Sequence, residues 1–285
     1  MKTINLSYYP DITQYRSQEE IRAAVIVFSD LLAEDYSKRI GEEIKINVMP
    51  VMDVKTQTNY MADSQNECAI ALMKPVSYIL AQKKNQNLDV GAVAWRQIAG
   101  VESDTYLGQL FAHVGSGITK ISDITKNHRI AYGDSFSTSN FLIPAMDLYK
   151  NGVHPFTGFR MAKFFGGHDG STKAVYYLDA DIGAGHDGAI DLLSMEKGFE
   201  DAKDKLKTVS KVDIYSDPVA VNRKFIPEVN GLTASLVAIS SNPVVTKALQ
   251  DFWGNVTRLG EADAKRYGLI NDALDLLNLT DKDIL

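Results

Sequence analysis

Three consecutive hydroxyl side chains, Ser137, Thr138 and Ser139, sit between a short apolar run, Arg129 to Tyr132, and an amphipathic stretch through Met146, Leu148 and Tyr149. The pattern predicts a strand, a polar turn and a helix start. The first amides of a helix lack intrahelical partners, and the helix dipole adds partial positive charge there. Hydroxyls beside such amides form a compact set of donors for a tetrahedral oxyanion. Serine and threonine also favour helix N-caps for purely structural reasons. The local pattern leaves both readings open.

Two further turns of the same kind follow. A candidate strand over residues 159–165 ends in Gly166-Gly167-His168-Asp169-Gly170-Ser171, and a helix-like run starts near Thr172. Residues 181–188, with His186 and Asp187, read as a third polar turn before Ala189, Ile190, Leu192 and Leu193. Open α/β sheets bind ligands at the C-terminal ends of their strands, so three such turns in succession point to one binding edge. A hydrolytic triad of Ser137 or Ser139 with His168 and Asp187 can be drawn, but the sequence has no Gly-x-Ser-x-Gly elbow. A zinc or nickel site from His168, Asp169, His186 and Asp187 suits imidazole and carboxylate chemistry, yet gives the three hydroxyls no purpose. No phosphate-binding P-loop or dinucleotide fingerprint is present.

The motif Gly-Asp-x-x-Ser-Thr-Ser-x-Phe-Leu-x-Pro at 133–144, followed by Phe-x-Gly-x-His and Ala174-Val175, resembles the phosphate/phosphite/phosphonate substrate-binding proteins of ABC transporters. These form the phosphonate-binding family within the type II periplasmic-binding-protein fold. Weaker matches are Lys74-Pro-Val-Ser-Tyr78, the strand from Tyr106, Gly117 to Ile124, and Tyr215-Ser-Asp-Pro218. The resemblance implies an α/β protein of two lobes joined by a hinge of crossing strands, closing on its ligand. Residues 1–108 with 215–285 would form the first lobe and 109–214 the second. It implies anion-binding hydroxyls at Ser137, Thr138 and Ser139, a phosphonate-contacting His168, and an aromatic contact from the other lobe at Tyr106. Acidic positions that hold an amine in aminophosphonate binders would fall near His186-Asp187 and near Asp217. The chain departs from the family in having Asp53-Val54 for Asp-Tyr, Cys68-Ala69-Ile70 where an aspartate precedes the third strand, and Lys74-Pro75 for Gly-Pro.

The implied function is capture of a small phosphorus oxyanion for a membrane permease, without catalysis and without a cofactor or metal. The alternatives are a sensor that reports another oxyanion, such as arsenite or a sulfur oxyanion, to a membrane kinase, and a phosphoester-processing enzyme with His168 as base. A monomer is expected. The net charge of −6 argues against a nucleic-acid partner. It does not oppose a local anion site, because remote charges are screened. At 285 residues, 45% hydrophobic and 23% charged, the chain is long enough for two ordinary cores. Met1 leads straight into a strand-like run, Thr3 to Tyr9, which read literally means the cytosol. The resemblance instead implies a periplasmic or membrane-anchored place, with the export signal or anchor outside this chain. The one cysteine, Cys68, opens an apolar strand and reads as core packing.

These residues need a frame. Ser17 to Glu20 is a capping box, and Ile21, Ala24, Val25, Phe28, Leu31 and Leu32 form one helical face. Strands are expected at 44–49, 68–73, 89–95 and 106–114, with helices near 54–63 and 75–85. The segment 203–207 reads as a solvated helix face, 211–215 as a returning strand, and 243–259, 261–267 and 270–277 as helices on the first lobe.

Overall fold

The computed structural model describes residues 1–10, 16–98 and 100–278. The chain opens with β1 (Lys2–Ser7), α1 (Gln18–Ile40), β2 (Ile44–Val48), α2 (Val54–Ala62), β3 (Cys68–Leu72), α3 (Pro75–Lys84), β4 (Leu88–Ile98) and β5 (Val101–Ser103). A second series follows: β6 (Thr105–His113), β7 (Arg129–Tyr132), a π turn (Thr138–Leu142), α4 (Ile143–Lys150), β8 (Met161–Phe164), α5 (Gly167–Tyr176), β9 (Ile182–His186), α6 (Ala189–Ser194), α7 (Ala202–Lys205) and β10 (Leu206–Tyr215). The chain ends with β11 (Pro218–Asn222), α8 (Val229–Ile239), α9 (Pro243–Trp253), β12 (Val256–Gly260), a 3-10 turn (Ala264–Tyr267) and α10 (Gly268–Leu276).

Two compact units result. The first comprises Met1–Thr105 and Tyr215–Tyr267, the second Tyr106–Ile214 and Gly268–Leu285. In the first unit the strand order is β12-β4-β11-β3-β1-β2, with β5 on β4. β1 lies between β2 and β3 and is parallel to both, while β11 is antiparallel to β3 and β4. α1 starts at the expected capping box: Glu20 N–H donates to Ser17 Oγ at 3.2 Å, and Ser17 N–H to Glu20 Oε2 at 2.8 Å. Its apolar face, with Ile21, Val25, Phe28 and Leu32, joins Leu6, Ile70, Val219, Phe252 and Trp253 in the core.

The second unit repeats the first three strands. Its order is β10-β6-β9-β7-β8, with β7 between β8 and β9 and parallel to both. β6 runs antiparallel to β9. In each unit the chain steps from a central strand to one side, then back past it to the other. The crevice between the first and third strands is therefore the topological switch point, at the strands' C-terminal ends.

Several expectations change. Residues 182–186 are the strand β9, not part of a turn. Gly183 and Gly185 let β9 lie against Phe111, since a Cβ at Gly183 would stand 2.8 Å from Phe111 and from Val175. Such glycines imitate turn signals in the sequence. Only Lys203, Asp204 and Lys205 of the stretch 203–207 are helical, because β10 begins at Leu206. The helix expected to 259 ends at Trp253, before Gly254 at φ 78, and β12 follows. α10 belongs to the second unit, its buried Ile270, Ala273 and Leu274 forming the face it packs inward, against α4 and the π turn. Tyr106 likewise belongs to the unit that carries Ser137, Thr138 and Ser139, rather than to the other.

Candidate functional site

The candidate residues of the second unit converge on one edge. The loop after β7 is shaped by Asp134, whose Oδ1 accepts from Phe136 N–H at 2.7 Å and whose carbonyl accepts from Ser137 N–H at 3.1 Å. Ser137 then caps the π turn, its Oγ accepting from Asn140 N–H at 3.0 Å. That bond uses a lone pair and leaves the hydroxyl proton able to donate. Leu142 N–H reaches back five residues to Ser137 O at 3.1 Å, the π spacing. The sequence predicts an ordinary helix start here. The wider turn is the kind of irregularity that recurs at functional sites. Ser137, Thr138 and Ser139 are only 5%, 2% and 3% exposed.

His168 is the second residue of α5, behind Gly166 and Gly167 at φ 82 and 80, a left-handed pair that turns the chain from β8 into the helix. Its Nδ1 accepts from the His186 backbone N–H at 3.3 Å. His186 closes β9, and its Nδ1 accepts from Gly188 N–H at 2.9 Å. The rings meet edge to face with centroids 4.4 Å apart. An imidazole that accepts at Nδ1 carries its proton on Nε2 when neutral. Both histidines are thereby fixed as Nε2–H donors by the main chain. Asp187 Oδ1 lies 3.9 Å from His186 Nδ1. With Gly188 on that nitrogen, the contact is no ion pair while the ring is neutral.

Three links tie these segments together. Gly108 pairs with His186 in the β6–β9 ladder, and a Cβ on Gly108 would stand 3.5 Å from Ser139 Cα. Strand alternation puts Tyr106, half-buried, on that same face. Ser171 Oγ lies 2.9 Å from Ala184 O, 3.2 Å from Asn140 Oδ1 and 3.1 Å from His168 O. Gln109 Nε2 donates to His186 O at 2.8 Å, and Asp187 N–H to Leu107 O at 3.1 Å. A shallow cavity of about 260 Å³, lined by residues including Asp187, Gln109 and Lys207, contains none of the three hydroxyls.

Sequence reasoning missed Asn140. It is fully buried, its Nδ2 has no hydrogen-bond partner among the described residues, and a Cβ at Gly133 would stand 1.7 Å from that atom. Gly133, at the head of the motif, is the trace of this contact in the sequence. Asp217, an expected amine-holding position, is buried and bonded instead to the Arg96 guanidinium. Arg96 also donates to Ser216 Oγ at 3.1 Å and Trp253 O at 2.7 Å. Asp53 caps α2, accepting from Thr56 N–H at 2.8 Å, and Val54 packs against the core. Among the described residues no group of three or more histidine, cysteine or acidic side chains is arranged to hold a metal ion.

Two sheets with this order, each with a topological switch point between its first and third strands, define the two-lobed periplasmic-binding-protein fold. Solved structures bear this out: PhnD1 of Prochlorococcus marinus in complex with methylphosphonate aligns with TM-score 0.70 at 19% identity, over 97% of this chain and 98% of that one. A chloride-bound protein of Xanthomonas citri gives 0.73 at 17% over 97% of both chains. The aliphatic sulphonate binding protein SsuA of Escherichia coli gives 0.56 at 15%, over 100% of this chain and 91% of that one. The chain belongs to the ABC-transporter phosphonate periplasmic substrate-binding protein family, whose sequence model matches residues 12–267. No helix among the described residues is long and apolar enough to cross a membrane.

Proposed function

We propose that this chain is the extracytoplasmic solute-binding component of an ABC importer, and that its solute is a small phosphorus oxyanion: phosphonate, phosphite or a phosphate-like ion. The observation that carries the reading is the convergence of Ser137, Thr138 and Ser139 with two histidines whose Nδ1 atoms are both taken by backbone N–H groups. Hydroxyl O–H and imidazole N–H groups are the donors on which this reading rests. Tyr106, His186 and Asp187 act on the group attached to phosphorus. Asp187, being acidic, favours a solute that brings an amine or a proton. The partner is a membrane permease, and no step of the reading breaks or forms a covalent bond.

Calorimetry with phosphite, phosphate, methylphosphonate and 2-aminoethylphosphonate tests it. Stoichiometric binding of at least one, with no product formed from it or from phosphomonoesters, is the expected result. Turnover sinks the binder in favour of an enzyme. Methanesulfonate bound more tightly than all four moves the solute class from phosphorus to sulfur.

A further inference from the structure

Ser171 stands one helical turn after His168 in α5 and is fully buried. Its Oγ has three oxygen neighbours: Ala184 O in β9 at 2.9 Å, His168 O at 3.1 Å and the Asn140 carboxamide in the π turn at 3.2 Å. A serine hydroxyl has one proton and two lone pairs, so it cannot donate to all of them. Asn140 is fully buried as well, and the NH2 end of its carboxamide, turned to Gly133, finds no acceptor among the described residues. A buried N–H left without an acceptor is costly.

One assignment removes both difficulties. The oxygen and nitrogen ends of a carboxamide have nearly the same shape, and the bonds they make decide which is which. His168 O already accepts from Thr172 Oγ1 at 2.7 Å. With the Ser171 proton on Ala184 O, its nearest neighbour, Oγ presents a lone pair to Asn140, and the carboxamide end 3.2 Å away is the NH2 group. The carbonyl oxygen then faces Gly133, where the hydrogen that a Cβ would replace points at it. That is a weak C–H···O contact in place of an orphaned donor.

The bond closes a circuit between two donor segments. Asn140 N–H donates to Ser137 Oγ at 3.0 Å, and Asn140 O accepts from Gly133 N–H at 3.2 Å. Gly133 O in turn accepts from Gly166 N–H at 2.8 Å, just ahead of α5 and His168. Ser171 returns the path to Asn140. We propose that Asn140 is a positioning residue: its NH2 group donates to Ser171 Oγ and so holds the turn of Ser137, Thr138 and Ser139 in fixed relation to His168. Its consequence for binding rests on the oxyanion reading of those residues, through which the buried Asn140 acts.

NMR of the isotopically labelled full chain tests the bond, and calorimetry tests its consequence. Ser171→Ala should move the side-chain NH2 resonances of Asn140, identified by their loss in Asn140→Ala. If they stay where they are in the parent, the proposal is overturned. Asn140→Ala and Ser171→Ala should each weaken binding of whichever of phosphite, phosphate or methylphosphonate the parent binds best, roughly tenfold. The double variant should be no weaker than the singles, because both remove the same link. In each variant the imidazole nitrogen resonances of His168 should change less on saturation with that anion than they do in the parent. Two independent, additive losses overturn the positioning role, as does a lowered melting temperature with unchanged affinity, which would leave Asn140 a packing residue. A parent that binds none of the three anions overturns the oxyanion reading itself, whereas a parent that binds one, with both variants equally tight, overturns the positioning role alone.

Discussion

Both units set a central strand between two parallel successors, yet their strand ends differ in kind. In the second unit β7 leads to Ser137, Thr138 and Ser139, and β9 to His186 and Asp187, an edge of hydroxyls and imidazoles. In the first, β1 leads to Tyr8 and Tyr9 and β3 to Lys74, an edge of rings and an ammonium. Their third strands differ too. β3 is buried at every position as Cys-Ala-Ile-Ala-Leu, whereas β9 needs Gly183 and Gly185 to make room for Phe111. Topology decides where ligand chemistry can gather, and the residues just past the strand ends decide which chemistry it is.

Each unit also holds a buried or half-buried arginine–aspartate pair, and the largest expected effect separates them. Asp217→Ala should cost about 3–5 kcal/mol, because it strands the Arg96 guanidinium in the core of the first unit. Chemical denaturation measures it. A loss under 1 kcal/mol would mean that Ser216, Trp253 and Asn255, whose Oδ1 accepts from Arg96 at 2.8 Å, suffice to hold Arg96.

Next comes Gly133→Ala in the second unit, at about 3 kcal/mol, since the new Cβ meets the Asn140 amide at 1.7 Å. Adding Asn140→Gly should restore much of the loss. A double-mutant cycle showing simple additivity would break the claimed contact.

Site variants come third. Ser139→Ala and His168→Ala should each weaken oxyanion binding by roughly 1–3 kcal/mol in calorimetry. Ser137→Ala should do so and also lower the melting temperature, because Ser137 caps the π turn. If Ser139→Ala alone left affinity unchanged, the row of hydroxyls would be reduced to a cap with polar neighbours.

That distinction shows where reading from sequence succeeds. The strand, turn and helix around Ser137, Thr138, Ser139 and His168 were legible because turn chemistry is local: strand, glycines, hydroxyls, helix. The capping box at Ser17 was visible for the same reason. β11 and β12 were not, because strands that return from far along the chain take their partners, β3 and β4, from long-range pairing. The partner of Asp217 was hidden for the same reason. A carboxylate in sequence does not disclose a guanidinium 121 residues away. The tautomer of His168 depends on a backbone amide that only the folded β9 presents.

Asp181 in the second unit gives a smaller effect with a defined sign. Burial pushes its carboxyl up, but Arg129, through its side chain and its backbone N–H at 2.8 Å, more than offsets this and holds it below the usual range. A depressed carboxylate stabilises the fold fully above its unfolded pKa, near 4, and loses that contribution as pH falls through the depressed value. Asp181→Asn should therefore cost roughly 1–2 kcal/mol at neutral pH, and the gap to the parent should close below pH of about 4. A gap that stayed constant down to strong acid would assign the loss to packing rather than charge.

The smallest effect tests the solidity of the first unit. Cys68 opens β3 with no exposed surface, and its Sγ lies 3.0 Å from Ile70 O. Burial pushes its thiol up to about 11, and only the thiolate is nucleophilic. A thiol reagent at neutral pH should leave the native protein unlabelled and react once it is unfolded. If native labelling occurs, its rate reports how often β3 parts from β1, which slow labelling at any ligand concentration would place in global unfolding. Protection that instead increases when oxyanion is added would show that the first unit's core feels an occupied strand edge, and the two edges would then differ in chemistry but not in their coupling to the fold.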